Sequence, residues 1–299
     1  MKSVFTARSI PDVVDFILNL PVDGKRRLYF RGESEDHDLT ACFPSIYRKD
    51  NLEREHIYLR EMQRFNDHEF IADRTTFDRL ARMQHHMAPT RLLDISEDIL
   101  SALYFALQRN EKEDTRRPAS LPVIYVFEIE ESAIKFYDSD SVTVVSNLAC
   151  LPLNSPSNQK SKECIHNDAK RFLNNREAFN QTESVKFLLH EIRDEKPHFE
   201  PIIDPRHIFS VFCVKPKYTN RRIRGQKGAL FLFGLSLNHF QKSIHLLDSR
   251  NWVPDRSPIR NVYKITLTGN ITLENLERLG ITMPYMYPEL DKVAEYLRR

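Results

Sequence analysis

At 299 residues the chain can hold one large domain or two ordinary ones, and 41% hydrophobic against 29% charged residues is the balance of a globular protein, not a disordered one. Its 44 Lys and Arg against 42 Asp and Glu give a formal charge of +2, which excludes a global pull toward nucleic acid and leaves only local patches. No run approaches the roughly eighteen apolar residues of a membrane helix, and Arg8, Asp12 and Asp15 interrupt the N-terminus before a signal-type stretch forms.

The four cysteines, Cys42, Cys150, Cys164 and Cys213, are scattered and form no Cys-x-x-Cys pair, so reduced thiols in a cytoplasmic protein are expected, without disulfides or zinc. Only seven glycines occur, and neither a Walker loop nor a Gly-x-Gly-x-x-Gly fingerprint is among them. Any phosphate must then be held by side chains or helix termini.

In chain order, Ile10–Leu20 reads as a short amphipathic helix with Val13, Val14, Ile17 and Leu18 on one face. Arg27–Phe30 reads as a strand, with Gly32 ending it at a sharp turn. Leu52–Ala72 has the pattern of a partly exposed helix, and Thr76–His86 that of a second one, broken before Pro89 because the residue preceding proline avoids the α region. Arg91–Ile95 is extended. Ser96 is then an N-cap, with Glu97 and Asp98 in the first turn of a core helix running to about Gln108. Leu121–Ile129, almost continuously apolar, reads as a central strand. Asn154–Lys162 reads as a loop, and the charge-rich helical sequence after it, to about Arg193, as an insertion or lid with too few apolar positions for its own core. Strands are expected at Ile208–Val214, Ala229–Leu235 and Val262–Leu267, and helices near Leu273–Leu279 and Glu289–Leu297. Strands at both ends with a helical middle argue for one α+β domain, with a central antiparallel or mixed sheet flanked by helices.

Three segments carry chemistry. Arg31 follows Tyr29 and Phe30 and precedes Gly32 and Glu33. It is either a structural ion pair with Glu33 or Glu35, or an anion clamp whose planar fork suits phosphate, with Gly32 admitting a ligand to the backbone. Gln84, His85, His86, Thr90, Arg91 and Asp94 form the densest polar cluster beside buried sequence. Adjacent histidines on a helix point about 100° apart and do not easily share one ion, so no metal is expected. Instead Arg91 and Asp94 are expected to form a buried structural pair, leaving His85 or His86 to face a pocket. Third, Arg224-Gly225-Gln226-Lys227-Gly228 leads into an aromatic strand, with Lys215, Lys217, Arg221 and Arg222 nearby. It is either a solvated loop or a second anion-binding element. Arg31, His85 or His86, and Gln226 are expected to line one cavity.

The Tyr29-Phe30-Arg31-Gly32-Glu33 run, followed by Gln-His-His-Met-Ala-Pro-Thr-Arg-Leu-Leu-Asp-Ile-Ser from Gln84, resembles the FRG domain, named for its Phe-Arg-Gly signature. Arg224-x-Gln226-x-Gly228 and the Tyr287-Pro288-Glu289 ending are also similar to that family. The resemblance covers a signature core at 20–110 and, more loosely, the C-terminal strands and helices at 205–299; the middle, with the helical insertion read at about 154–200, has no counterpart in it, and the whole of 1–299 is expected to form one FRG-type domain. The family's arrangement is similar to ADP-ribosyltransferases and it is often found among bacterial defence genes. The likeness therefore implies an NAD-consuming enzyme or ADP-ribosyltransferase, with NAD as substrate and protein or nucleic acid as acceptor. The alternative is a non-catalytic sensor of nucleotide, nucleic acid or protein. On the enzyme reading the catalytic residues are Arg31, His85, His86 and Glu289, with Glu33 and Glu128 as rival carboxylates; Arg31, Gly32, Gln84, Thr90, Arg224 and Gln226 bind the nucleotide.

Overall fold

The computed structural model describes residues 3–37, 41–108, 120–154, 160–219, 221–236 and 258–298. Strand β1 (Ser3–Ala7) and helix α1 (Ile10–Leu18) lead into β2 (Arg26–Glu33). Helices α2 (Glu55–Phe65), α3 (Asp67–Phe70) and α4 (Thr76–His85) precede β3 (Leu92–Ser96), α5 (Ile99–Leu107) and β4 (Val123–Glu130). After the short β5 (Lys135–Phe136) come α6 (Asp140–Asn147), α7 (Lys162–Arg171), α8 (Arg176–Asn180) and α9 (Glu183–Glu195). The chain then runs through β6 (Val211–Lys215), α10 (Arg221–Gly225), β7 (Gly228–Phe233) and β8 (Ile259–Leu267). It closes with α11 (Leu273–Arg278), α12 (Met283–Met286) and α13 (Leu290–Tyr296).

The eight strands form one open mixed sheet in the order β1-β8-β4-β2-β3-β7-β6-β5. Only the two edge pairs, β1 with β8 and β5 with β6, are parallel. This is a single α+β domain. The central position expected of the apolar strand after Leu121 is correct: β4 lies between β8 and β2, with Val123 through Ile129 all buried.

Alternation along the strands sorts the core into layers. Tyr29, Leu93, Ile95, Tyr125, Phe127, Cys213 and Phe231 share one face, covered by Ala41, Phe43, Ile46 and Tyr47 of the segment after β2. The other face carries two separate helical layers. Over β1, β8, β4 and β2, helices α1, α5, α11 and α12 pack on Phe30, Ile124, Val126 and Ile265. Over β3, β7 and β6, helices α2, α4, α6, α7 and α9 pack on Leu92, Leu230, Leu232 and Phe212. The charge-rich helices after residue 160 thus share a core with the sheet through Ile165, Val185, Leu188 and Ile192.

The two layers meet above a seam. β2 pairs with β4 at eight positions but with β3 at one, Phe30 opposite Ser96. Were that antiparallel ladder to continue, Arg31, Gly32 and Glu33 would face Ile95, Asp94 and Leu93. The strands part instead.

Four sequence expectations need correction. Gly32 does not end the strand, since β2 continues to Glu33. A Cβ there would lie 1.9 Å from the Ala102 carbonyl oxygen, so the glycine lets α5 lie directly on β2. Ser96 is the last residue of β3, and Asp98 is the N-cap of α5, accepting from the amides of Leu100 and Ser101. Ser96 Oγ accepts from the Asp98 amide and donates to the Gln226 carbonyl, tying β3 to the segment before β7. Arg91 and Asp94 do not pair. Side chains three apart on an extended segment point to opposite faces, and Arg91 is buried against Glu55 whereas Asp94 is exposed. Finally, β1, β5, α6, α10 and α12 were not foreseen. Of the Asn154–Lys162 loop, residues 155–159 lie outside the described residues, and Lys162 already opens α7.

Candidate functional site

A cavity of about 410 Å³ sits where β2 and β3 diverge, beneath the junction of the two helical layers. β2 contributes Phe30 through Glu33 and β3 contributes Asp94, Ile95 and Ser96. Gln84 and His85 come from α4, Phe105 and Gln108 from the end of α5, and Arg222, Ile223 and Gln226 from α10 and the turn after it. Arg31, His85 and Gln226, remote in sequence, therefore line one space. Its size is that of a small-molecule site.

Arg31 spans the seam. Its Nε donates to Glu33 Oε1 at 3.0 Å, and Nη1 to the Asp94 carbonyl at 2.8 Å, where a strand ladder would otherwise run. The ion pair with Glu33 and a cavity-facing guanidinium thus coexist. Burial opposes the charge of Arg31, but Glu33 and its neighbours outweigh this and raise its pKa. Glu33 itself is 6% exposed. Its Oε1 also accepts from the Cys42 amide at 3.1 Å, while Oε2 is buried without a hydrogen-bond partner. An unpartnered buried carboxylate oxygen is costly, and Glu33, a residue lining the cavity, keeps one.

Two further arginines line the cavity. Arg48 anchors Nη2 on the Phe43 carbonyl at 2.7 Å. Burial of its guanidinium and the like charge of Arg31 hold its pKa below the usual arginine value. Arg222 lies over the Tyr287 ring at 4.6 Å, a cation–π contact that leaves its donors available. The lining residues thus include three arginines against two carboxylates, Glu33 and Asp94.

His85 rather than His86 takes the pocket position. His86 is the exposed C-cap of α4, its ring edge-on to that of His85. His85 Nε2 lies 3.4 Å from Glu289 Oε1. Burial, followed by Arg222 and His86, lowers its pKa, and Glu289 acts in the opposite sense. Gln84 is held from both sides: Thr90 Oγ1 donates to its Oε1 at 2.5 Å, and its Nε2 donates to Asp94 Oδ2 at 2.7 Å. Thr90 is fully buried behind the wall and acts through Gln84.

Glu289 does not line the cavity and reaches it through His85, while Arg224 is exposed and points elsewhere. Glu128 is distant in the sheet, held by Arg26, Asn261 and Tyr263. Gln226 fixes its Nε2 on the Met286 carbonyl at 2.9 Å. Arg48 and Gln108 escaped sequence reasoning: each sits in an ordinary polar context, and only the fold carries them to the cavity. Backbone strain is a second marker. Met87, a lining residue, has φ +61°, and Cys42, Lys49 and Lys227, at +56°, +51° and +45°, are bonded or adjacent to lining residues. Non-glycine residues held there cluster at functional sites. Among the described residues no group of three or more His, Cys, Asp or Glu is placed to hold a metal ion, and no helix is long and apolar enough to cross a membrane.

No curated protein and no solved structure matches the chain. Both the Phe30-Arg31-Gly32 strand and the Gln84–Leu107 segment, which build opposite walls of the cavity, fall within residues 26–115, which match the FRG domain model; the chain carries an FRG domain.

Proposed function

We propose that the cavity binds a phosphate-bearing nucleotide and that the chain is an NAD-consuming enzyme, transferring ADP-ribose to a protein or nucleic-acid acceptor or to water. The observation that carries this reading is the pairing of an arginine excess with one unsatisfied carboxylate: Arg31, Arg48 and Arg222 surround the space, and Glu33 Oε2 is buried there without a partner. Guanidinium forks make charge-assisted bonds to diphosphate oxygens. An ionised carboxylate fixed beside the sugar stabilises the positive charge that develops as nicotinamide leaves with the electron pair of the C1′–N bond. Glu33 fits that role better than Glu289, because it lines the cavity. As an effector in bacterial defence, such a protein would act by depleting NAD or by modifying a target.

The test is incubation with NAD while monitoring nicotinamide release and label transfer to protein, RNA and DNA. Release without an acceptor identifies a glycohydrolase, and label transfer a transferase. Glu33→Gln is expected to retain NAD binding by calorimetry and to lose ~100-fold or more in turnover, as when one fixed electrostatic group is removed from a transition state. NAD binding with no turnover under any condition supports the sensor reading instead. Absence of NAD binding overturns the proposal.

A further inference from the structure

We propose that His85 and Glu289 form a proton-accepting dyad at the cavity wall, His85 taking the proton of the attacking nucleophile and Glu289 serving as its positioning residue. The inference rests on the NAD-cleaving reading of the cavity. In the step, the C1′–N bond breaks with its electron pair going to nicotinamide. A C1′–O bond forms from water or an acceptor hydroxyl, and the released O–H proton passes to the imidazole.

Three observations converge on this pair. First, His85 lines the cavity while its Nε2 faces Glu289 Oε1 at 3.4 Å. On this proposal Nε2 keeps its hydrogen toward the carboxylate, and Nδ1 is the nitrogen that accepts the proton. Second, Glu289 Oε2 is buried without a hydrogen-bond partner, which an ordinary surface glutamate has no reason to tolerate. Third, the segment that carries Glu289 is fastened to the cavity wall by lining residues. Gln226 donates to the Met286 carbonyl at 2.9 Å, the Tyr287 hydroxyl donates to Gln108 Oε1 at 2.7 Å, and the Tyr287 ring lies under Arg222. These ties fix the carboxylate although α13, which it precedes, buries none of its own residues.

The electrostatics agree with the role. The groups facing His85 are Arg222 from α10, Arg82 and His86 from α4 and its cap, and Glu289 from the C-terminal segment. The Arg82–Asp73 and Lys217–Asp78 pairs border it in the small adjoining pocket. Burial and the cations favour the neutral ring, which is the form able to accept a proton near neutral pH, and Glu289 then stabilises the imidazolium that results.

The experiment measures NAD hydrolysis against pH, with water as acceptor, in the full chain, alongside NMR titration of the His85 ring. Activity in the wild type should fall on the acid side as His85 protonates, below its ordinary value of ~6.5. Glu289→Gln should move that limb and the His85 titration to still lower pH and reduce kcat at the plateau by ~10-fold or more, with KM for NAD unchanged. Glu289→Asp should recover part of both, and His85→Gln should abolish the limb. Wild-type turnover with a limb and a His85 titration that Glu289→Gln leaves in place overturns the dyad while the NAD reading stands. A wild type that releases no nicotinamide overturns the NAD reading and the dyad with it.

Discussion

Two arginines from the signature segments, Arg31 and Arg91, are held by glutamates, yet they serve opposite ends. Arg91 is 0% exposed, with Nε and Nη2 on the two oxygens of Glu55 at 2.8 and 2.5 Å and Nη1 on the Phe233 carbonyl at 2.9 Å. A third charge, Lys162, lies 3.2 Å from Glu55 and also reaches the Leu151 carbonyl. Each nitrogen of the two cations and both Glu55 oxygens have a partner within the fold, joining α2, the start of β3, the end of β7 and α7. Arg31 uses one carboxylate oxygen and one carbonyl, keeps 20% of its side chain exposed, and its partner Glu33 leaves an oxygen unmet. Arg91 is bonded through all three of its guanidinium nitrogens, whereas the Arg31–Glu33 pair keeps capacity for a further partner.

The largest effect should come from breaking the saturated set. Arg91→Ala strands Glu55 in the core beside Lys162 alone, and removing one partner of a buried pair costs ~3–5 kcal/mol. Chemical denaturation should show that loss, and a midpoint within error of the wild type would refute the structural assignment. Lys162→Met is the contrasting variant. Burial pushes the Lys162 pKa down to about 8, against the pull of Glu55, so its charge is poorly tolerated and Arg91 still satisfies Glu55 without it. The methionine should therefore cost far less than Arg91→Ala. The sign with pH is definite: below about 8 the lysine is charged in both states and its penalty is complete. Above that the folded protein sheds the proton while the unfolded chain holds it to ~10.5, so wild-type stability gains relative to Lys162→Met as pH rises.

Gly32→Ala comes next. The new Cβ would meet the backbone of α5 at Ala102 and Ala106, which has no rotamer with which to yield. Helix and strand must separate, at ~1–3 kcal/mol or more for overpacking. Because β2 forms one lip of the seam, loss of ligand binding should accompany the lower melting temperature. Arg31→Lys should leave melting nearly unchanged, since a cation still faces Glu33. Its point charge cannot reproduce the fork that spans Glu33 and Asp94, so NAD affinity measured by calorimetry should fall ~10-fold. Equal affinity would mean that Arg31 braces the seam without touching ligand.

The same distinction explains what was legible in the sequence. Apolar patterning located α1, α4, β4 and most later strands, because a buried face leaves a local pattern in residue order. The convergence of Arg31, His85 and Gln226 was also readable, each being a polar group set against an apolar element. The partner of Arg91 was not, because Glu55 lies 36 positions away and looks like one more charge on a partly exposed helix. β1 was missed since its parallel pairing with β8 closes a contact across nearly the whole chain, and five residues at a terminus show too little alternation to announce a strand. The seam between β2 and β3 is legible nowhere in the sequence, because it consists of hydrogen bonds that do not form.

Met87 supplies the smallest and most discriminating effect. It comes after the C-cap of α4 at φ +61°, a left-handed position normally given to glycine, and the residue is 91% exposed at the cavity wall. Its backbone closes the helix: the Met87 amide donates to the Gln84 carbonyl and the Ala88 amide to that of Met83. A methionine there bears the steric cost of the αL region and recovers little by burial. Met87→Gly should therefore stabilise the protein by ~0.5–1 kcal/mol, the gain typical when glycine takes a strained C-terminal position. If Met87 is kept for the ligand, the same variant should weaken NAD binding, so stability and affinity would move in opposite directions. Thermal melting and calorimetry on one pair of proteins decide it. A gain in stability with unchanged affinity would make Met87 a strained bystander, and a loss of stability would show that its side chain packs against the fold after all.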